Sequence, residues 1–158
     1  MADHSLKKEQ EAEAKYKPVH EVLQANLVDQ LLLNLQVKQA HWNIVGSRFI
    51  SIHEYLDSVY ETLLEQIDQS AERIRQLRAF PNGNAELIAS NETFVPMPAG
   101  PISDEDVVDL ITHRLEVAIK ALRDRLESIE DVDTVTADII HGQVEALEIH
   151  AWKMRSMK

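Results

Sequence analysis

A chain of 158 residues, 44% apolar and with 27 acidic against 16 basic side chains, is long enough to bury one core without disulfides or a structural metal. Its lack of Cys excludes disulfide scaffolds, thiolate metal sites, iron–sulfur clusters and Cys nucleophiles, and fits a reducing compartment. Four Gly and five Pro exclude collagen-like and low-complexity chains, and a net charge of −11 disfavours a nucleic-acid-binding surface, which needs clustered Lys and Arg.

Residues 1–17 have no apolar signal core. They balance Lys7, Lys8, Lys15 and Lys17 against Asp3, Glu9, Glu11 and Glu13, and read as a flexible tail before one helical domain, 18–158. The first helix is expected from about Pro18 to Val45, where Val19, Val22, Leu23, Leu27, Leu31, Leu35 and Val37 recur at helical spacing before Gly46. The second is expected from about Ile50 to Phe80, stopped by Pro81-Asn82-Gly83-Asn84. Pro81 to Pro101 holds four of the five Pro and forms the one long irregular connection; its only strand-like alternation is Thr93-Phe94-Val95. The third helix follows Ser103 as N-cap, with Asp104, Glu105 and Asp106 at its positive end, and continues through Val107, Leu110, Ile111, Leu115, Ile119, Leu122 and Leu126. The fourth starts near Thr134–Thr136, carries Ile139, Ile140, Val144, Leu147 and Trp152, and ends in Lys153, Arg155 and Lys158. The longest apolar runs, such as Leu31–Leu33, are far short of a membrane span, so the expected setting is soluble and cytoplasmic. The pattern predicts an all-α four-helix bundle whose long crossover joins the second and third helices.

The second helix carries the chemistry. At about 100° per residue, with His53 at zero, Asp57 falls near 40°, Asp68 near 60° and Glu72 near 100°. His53 with Asp57, and Asp68 with Glu72, are i, i+4 pairs able to share an ion. Asp57 and Asp68, however, stand roughly 16 Å apart along the axis, while metal–ligand bonds run about 2 Å. Either the helix carries two half-built sites, or a second copy completes them. An antiparallel copy crossing near residues 62–63 would set one pair against the other and build two identical composite sites at a two-fold interface. Imidazole and carboxylate without thiolate suit iron or zinc, and such mixed ligands with open positions suit Fe(II) oxidation best. The competing reading is a solvated helix face.

The stretch His41-Trp42-Asn43, Gly46, Phe49, His53, Asp57, Asp68, Glu72 resembles the signature of the Dps family, the ferritin-like DNA-protection-during-starvation proteins. The likeness is close over the first two helices and looser beyond. It implies a ferritin-like bundle in a hollow homododecamer that oxidises Fe(II), preferentially with hydrogen peroxide, and stores the ferric mineral. It assigns His41, His53 and Asp57 to one subunit's share of a ferroxidase metal site, and Asp68 and Glu72 to the two-fold mate's. A ferritin site inside the bundle uses Glu-x-x-His. None of the 16 Glu here has His three positions later.

The resemblance places Trp42 near the iron, although a Trp at a helix end more often packs in a core or interface, and Trp152 is expected to pack. It makes Glu54 a candidate for mineral nucleation beside Glu61 and Glu65, with a solvated helix face as the equal alternative. It also puts Asp131, Asp133 and Asp138 near three-fold iron-entry pores, while helix N-terminal charge accounts for Asp133 and Asp138 equally well. His20, His113, His141 and His150 read as surface or packing residues. DNA is a possible partner, disfavoured by charge and by the neutral N-terminal segment. The rival function is a DNA-binding nucleoid protein without catalysis.

Overall fold

The computed structural model describes the chain from Ala2 onward, and its side chains from residue 14. Helices α1 (Ala2–Asn43), α2 (Phe49–Gln76), α3 (Ala85–Ala89), α4 (Asp104–Leu126) and α5 (Thr134–Arg155) are joined by two-residue strands β1 (Ile44–Val45) and β2 (Ile102–Ser103). The tail expected over 1–17 falls mostly outside the described side chains. Residues 14–17 run helically into α1, so Pro18 lies within the helix and not at its first turn. A proline there forgoes a single backbone bond, and the Glu-, Ala- and Lys-rich residues before it favour helix.

The architecture is the ferritin-like four-helix bundle. Helix α1 packs along α2 and α4 along α5, with α1 also against α4 and α2 against α5. Leu23, Leu33, Ile52, Leu56, Leu63, Ile111, Leu115, Ile140 and Leu147 are fully buried at the centre. Among the described residues no helix is long and apolar enough to cross a membrane.

Three local features depart from the expected elements. Helix α2 stops at Gln76, not Phe80, because Arg78 takes a left-handed φ of 70° and Ala79 N–H bonds back to Ile74 O at 3.1 Å. The crossover contains the short α3. Thr93–Val95 is not a strand; the crossover's sheet contact comes instead from β2, where Ile44 pairs in parallel with Ile102 and Val45 with Ser103.

The crossover does run from end to end, pinned along α1. Gln24 exchanges two hydrogen bonds with the backbone of Asn82, each 2.8 Å. Asn91 donates to Asp29 at 2.7 Å, Gln36 donates to Val95 O at 3.2 Å, and from α4 the buried Arg114 donates to the same oxygen at 2.8 Å. Gln39 donates to Pro98 O at 3.4 Å. Ser103 caps α4 as expected, accepting from Asp106 N at 3.1 Å.

The α1–α2 turn is set by Gly46. Its φ is +137°, and a Cβ there would stand 2.5 Å from Asp104 Cγ. That carboxylate accepts from Arg48 N at 2.9 Å and Arg48 Nε at 3.3 Å, which hold its pKa below the usual range. The Arg48 guanidinium also donates to Met157 O, tying the turn to both α4 and the end of α5.

Candidate metal centre

The turn brings the end of α1 against the start of α2, and so His41 against His53. Their rings stack with centroids 3.7 Å apart and planes 25° from parallel. His41 Nδ1 lies 3.0 Å from His53 O, and His53 Nδ1 lies 2.9 Å from His41 O. A carbonyl oxygen only accepts, so each Nδ1 must carry a proton, and in a neutral ring Nε2 then keeps its lone pair. Neither Nε2 has a hydrogen-bond partner among the described residues. Outer hydrogen bonds of this kind fix a ligand imidazole's tautomer and ring orientation. His41 is buried, 7% exposed, and burial is the largest influence pulling its pKa below 6.5. Its neutral form, the one a metal needs, is therefore favoured.

Asp57 joins this pair, with Oδ1 3.4 Å from His41 Nδ1, but it is already engaged. Lys38 Nζ donates to the same oxygen at 2.6 Å and holds the carboxyl well below its ordinary pKa. Lys38 also sits 4.5 Å from the Tyr60 ring centroid. Sequence reasoning passed over Lys38. Its signal was its position on the α1 face that carries His41, where a charged side chain interrupts an otherwise apolar stripe.

Asp68 and Glu72 lie further along α2, exposed, and do not converge with the histidines. Among the described residues, no three His, Asp or Glu side chains of one chain are placed to hold a metal. The chain thus brings His41, His53 and Asp57 together and leaves Asp68 and Glu72 apart. Between the two groups the same face of α2 shows Tyr60, Leu64 and Ile67, with Leu64 exposed, and beside it α1 exposes Leu35, 60% exposed.

The remaining acids and aromatics divide. Glu54, Glu61, Glu65, Asp131 and Asp138 are exposed. Asp133 is taken: Arg73 donates to it at 2.8 Å and Thr136 Oγ1 at 2.5 Å, so it serves the start of α5. Trp42 and Trp152, at 69% and 59% exposure, do not pack into their own chain's core.

His150 is a packing residue with an unforeseen network. Its Nδ1 meets Tyr55 OH at 2.8 Å and its Nε2 meets Thr62 Oγ1 at 2.9 Å. Burial, with Lys153 nearby, lowers its pKa, and burial raises the Tyr55 phenol to about 12. His20 and His141 bond to Leu77 O and Glu130, and His113 is exposed.

Comparison with known proteins agrees with this architecture. The model of the ferritin-like domain matches residues 20–157. The chain is 31% identical over 136 residues to DNA protection during starvation protein 2 of Deinococcus radiodurans, covering 86% of this chain and 56% of that protein's length. It is 30% identical over 149 residues to the DNA protection during starvation protein of Mycolicibacterium smegmatis, covering 92% and 79%. The crystal structure of Dps92 from Deinococcus radiodurans superposes with a TM-score of 0.88 at 30% identity, covering 90% of this chain and 87% of that one.

Proposed function

The chain belongs to the ferritin-like family of DNA protection during starvation proteins, and from that premise we propose that it is a ferroxidase and iron store acting at sites shared between two subunits. The observation that carries this reading is the reciprocal His41–His53 lock. Two hydrogen bonds fix two imidazoles whose Nε2 atoms have no hydrogen-bond partner among the described residues.

Fe(II) is the substrate. His41 and His53 supply neutral nitrogen. The partner's Asp68 and the partner's Glu72 supply the anionic oxygen that holds Fe(II) and favours Fe(III). Asp57 serves a second ion, and must exchange Lys38 to do so, which makes it the weaker ligand. Two Fe(II) each release one electron to one hydrogen peroxide. The O–O bond breaks, and with two protons both oxygens leave as water. Pairing the electrons avoids the one-electron product, hydroxyl radical.

The oligomer is a homododecamer built from two-fold dimers, storing ferric mineral in a cytoplasmic shell. The relatives' names speak of DNA protection; here that protection acts by removing Fe(II) and peroxide together. Direct DNA binding is the weaker alternative, because twelve chains of net charge −11 would sum to about −132 and repel phosphate.

The test is stopped-flow oxidation of Fe(II) by peroxide, followed by ferric absorbance and by the iron-to-peroxide ratio. His41→Ala and Asp68→Ala should each abolish the fast phase while the assembly survives. Wild-type rates in both would refute the assignment.

A further inference from the structure

A cavity lies on the same α1–α2 face, at the end away from the histidines. Its volume is about 560 Å³, and Glu21, Gln24, Val28, Ile74, Phe80 and Leu87 line it. Phe80 stands 81% exposed as one wall. At the opposite end of the face Trp42 is 69% exposed.

We propose that the two features fit each other across the two-fold: the partner's Trp42 fills this cavity, and the reverse contact fills the partner's. This rests on the antiparallel pairing proposed above and adds an anchor to it.

The register comes from contacts within one chain. Lys38 meets Asp57, His41 meets His53 and His20 meets Leu77, so α1 and α2 run antiparallel in step. A crossing near residues 62–63 of α2 is then level with about residue 33 of α1. A two-fold there sets position 42 of one α1 opposite about position 24 of the other, and Gln24 lines the cavity. Eighteen residues separate Gln24 from Trp42, which is about five full turns, so both point from the same side of α1. Val28 and Leu35 continue that side between them.

The chemistry also matches. The cavity wall is mainly apolar, and the exposed Glu21 carboxylate at its rim offers the acceptor that a buried indole N–H requires. Within its own chain the Glu21 carboxylate stands 3.9 Å from Lys17, with both side chains exposed. Docking has a consequence for the iron site: Trp42 adjoins His41, and Ile74 lies two residues beyond Glu72. An indole seated in the cavity therefore fixes the register that brings the partner's Asp68 and the partner's Glu72 over His41 and His53. Trp42 is a positioning residue in this role.

The test uses Trp42 as the sole indole, in a Trp152→Phe background, with assembly size and peroxide-driven Fe(II) oxidation measured on the same preparations. The assembled protein should show blue-shifted emission shielded from acrylamide. Ala25→Phe, which fills the cavity from within, should expose the indole again while far-ultraviolet circular dichroism is unchanged. Trp42→Ala removes nothing from the monomer core and should weaken two-fold association at least about tenfold. Assembly with normal iron oxidation but a freely quenched Trp42, or an unweakened Trp42→Ala dimer, would overturn the anchor and leave the ferroxidase reading standing. A monomer without iron oxidation would overturn both.

Discussion

Gly46→Ala isolates how tightly the turn that sets the histidines is built. At φ +137° an L-residue is strained whatever space surrounds it, and such backbone positions cost about 1–3 kcal/mol. The new methyl would also lie 2.5, 2.7 and 2.8 Å from the three carboxylate atoms of Asp104, where ordinary contact begins at 3.4 Å. The carboxylate must retreat by roughly 1 Å. It cannot do so without loosening its bonds to Arg48 N and Nε, so the clash adds to the backbone strain. Urea unfolding at fixed subunit concentration reads the sum. With a slope near 2 kcal/mol/M, the backbone part alone lowers the midpoint by about 0.5–1.5 M. In an Asp104→Ala background the methyl has room, and Gly46→Ala should then cost the backbone part only. Equal costs in both backgrounds would refute the clash, and a cost below about 0.5 kcal/mol would refute the strain as well.

Two further perturbations address the interior. Asp29 is buried with Oδ2 2.7 Å from Arg125 Nη1, although that nitrogen's hydrogen bond goes to Asn26 Oδ1 at 2.9 Å, so charge holds the carboxylate there. Arg125→Met leaves it unpaired and should cost about 3 kcal/mol in urea unfolding; a cost below about 1 kcal/mol would show that Arg125 does not compensate it. His150 has a folded pKa lowered from 6.5 by burial, so the unfolded chain takes up the proton first. Its contribution is complete above pH 6.5 and is lost as pH falls from there through the folded pKa, at most about 1 kcal/mol by pH 5.5. The groups facing it are the Tyr55 and Thr62 hydroxyls and Lys153, with no carboxylate among the described residues to retain the charge. His150→Gln should flatten this pH dependence relative to wild type, and identical slopes would refute it.

The four long helices were legible because their apolar residues recur at a helical period and because Gly and Pro stand outside them, apart from Pro18 and Gly142. Pro18 misled: proline is common at a first turn, yet it is also tolerated inside a helix when strong helix formers precede it. The β1–β2 pair was invisible because two residues carry no periodicity. The i, i+4 spacing picked out His53 with Asp57 and Asp68 with Glu72 as candidates, and the distance along one helix required the pairs to be separate; His41 rests on the family resemblance. The His41–His53 lock could not be read, since it depends on how the turn closes, and closure is set by the contact of Gly46 with a carboxylate 58 residues away. Lys38 was missed for the same reason: its partner Asp57 is a neighbour only after the hairpin forms.

The bundle interior explains why metal chemistry would have to move to a subunit boundary. A di-metal site between helices needs several carboxylates and histidines directed inward. At the middle of this bundle Gln30, Gln66, Ser70 and Gln143 are buried instead. Gln30 donates to Gln143 at 3.0 Å, Ser70 to Gln30 at 2.9 Å, and Gln66 to the Gln143 backbone at 3.1 Å. Neutral amides and a hydroxyl bind Fe(II) weakly, and Asp29, the nearby buried carboxylate, is matched to an arginine that repels cations. The interior polar groups thus serve to specify how α1, α2 and α5 meet. The imidazole lone pairs and the free acids lie on the outer α1–α2 face, each half too sparse to hold an ion firmly. On this account iron oxidation depends on assembly, and the fast phase should appear with the two-fold dimer and vanish with it.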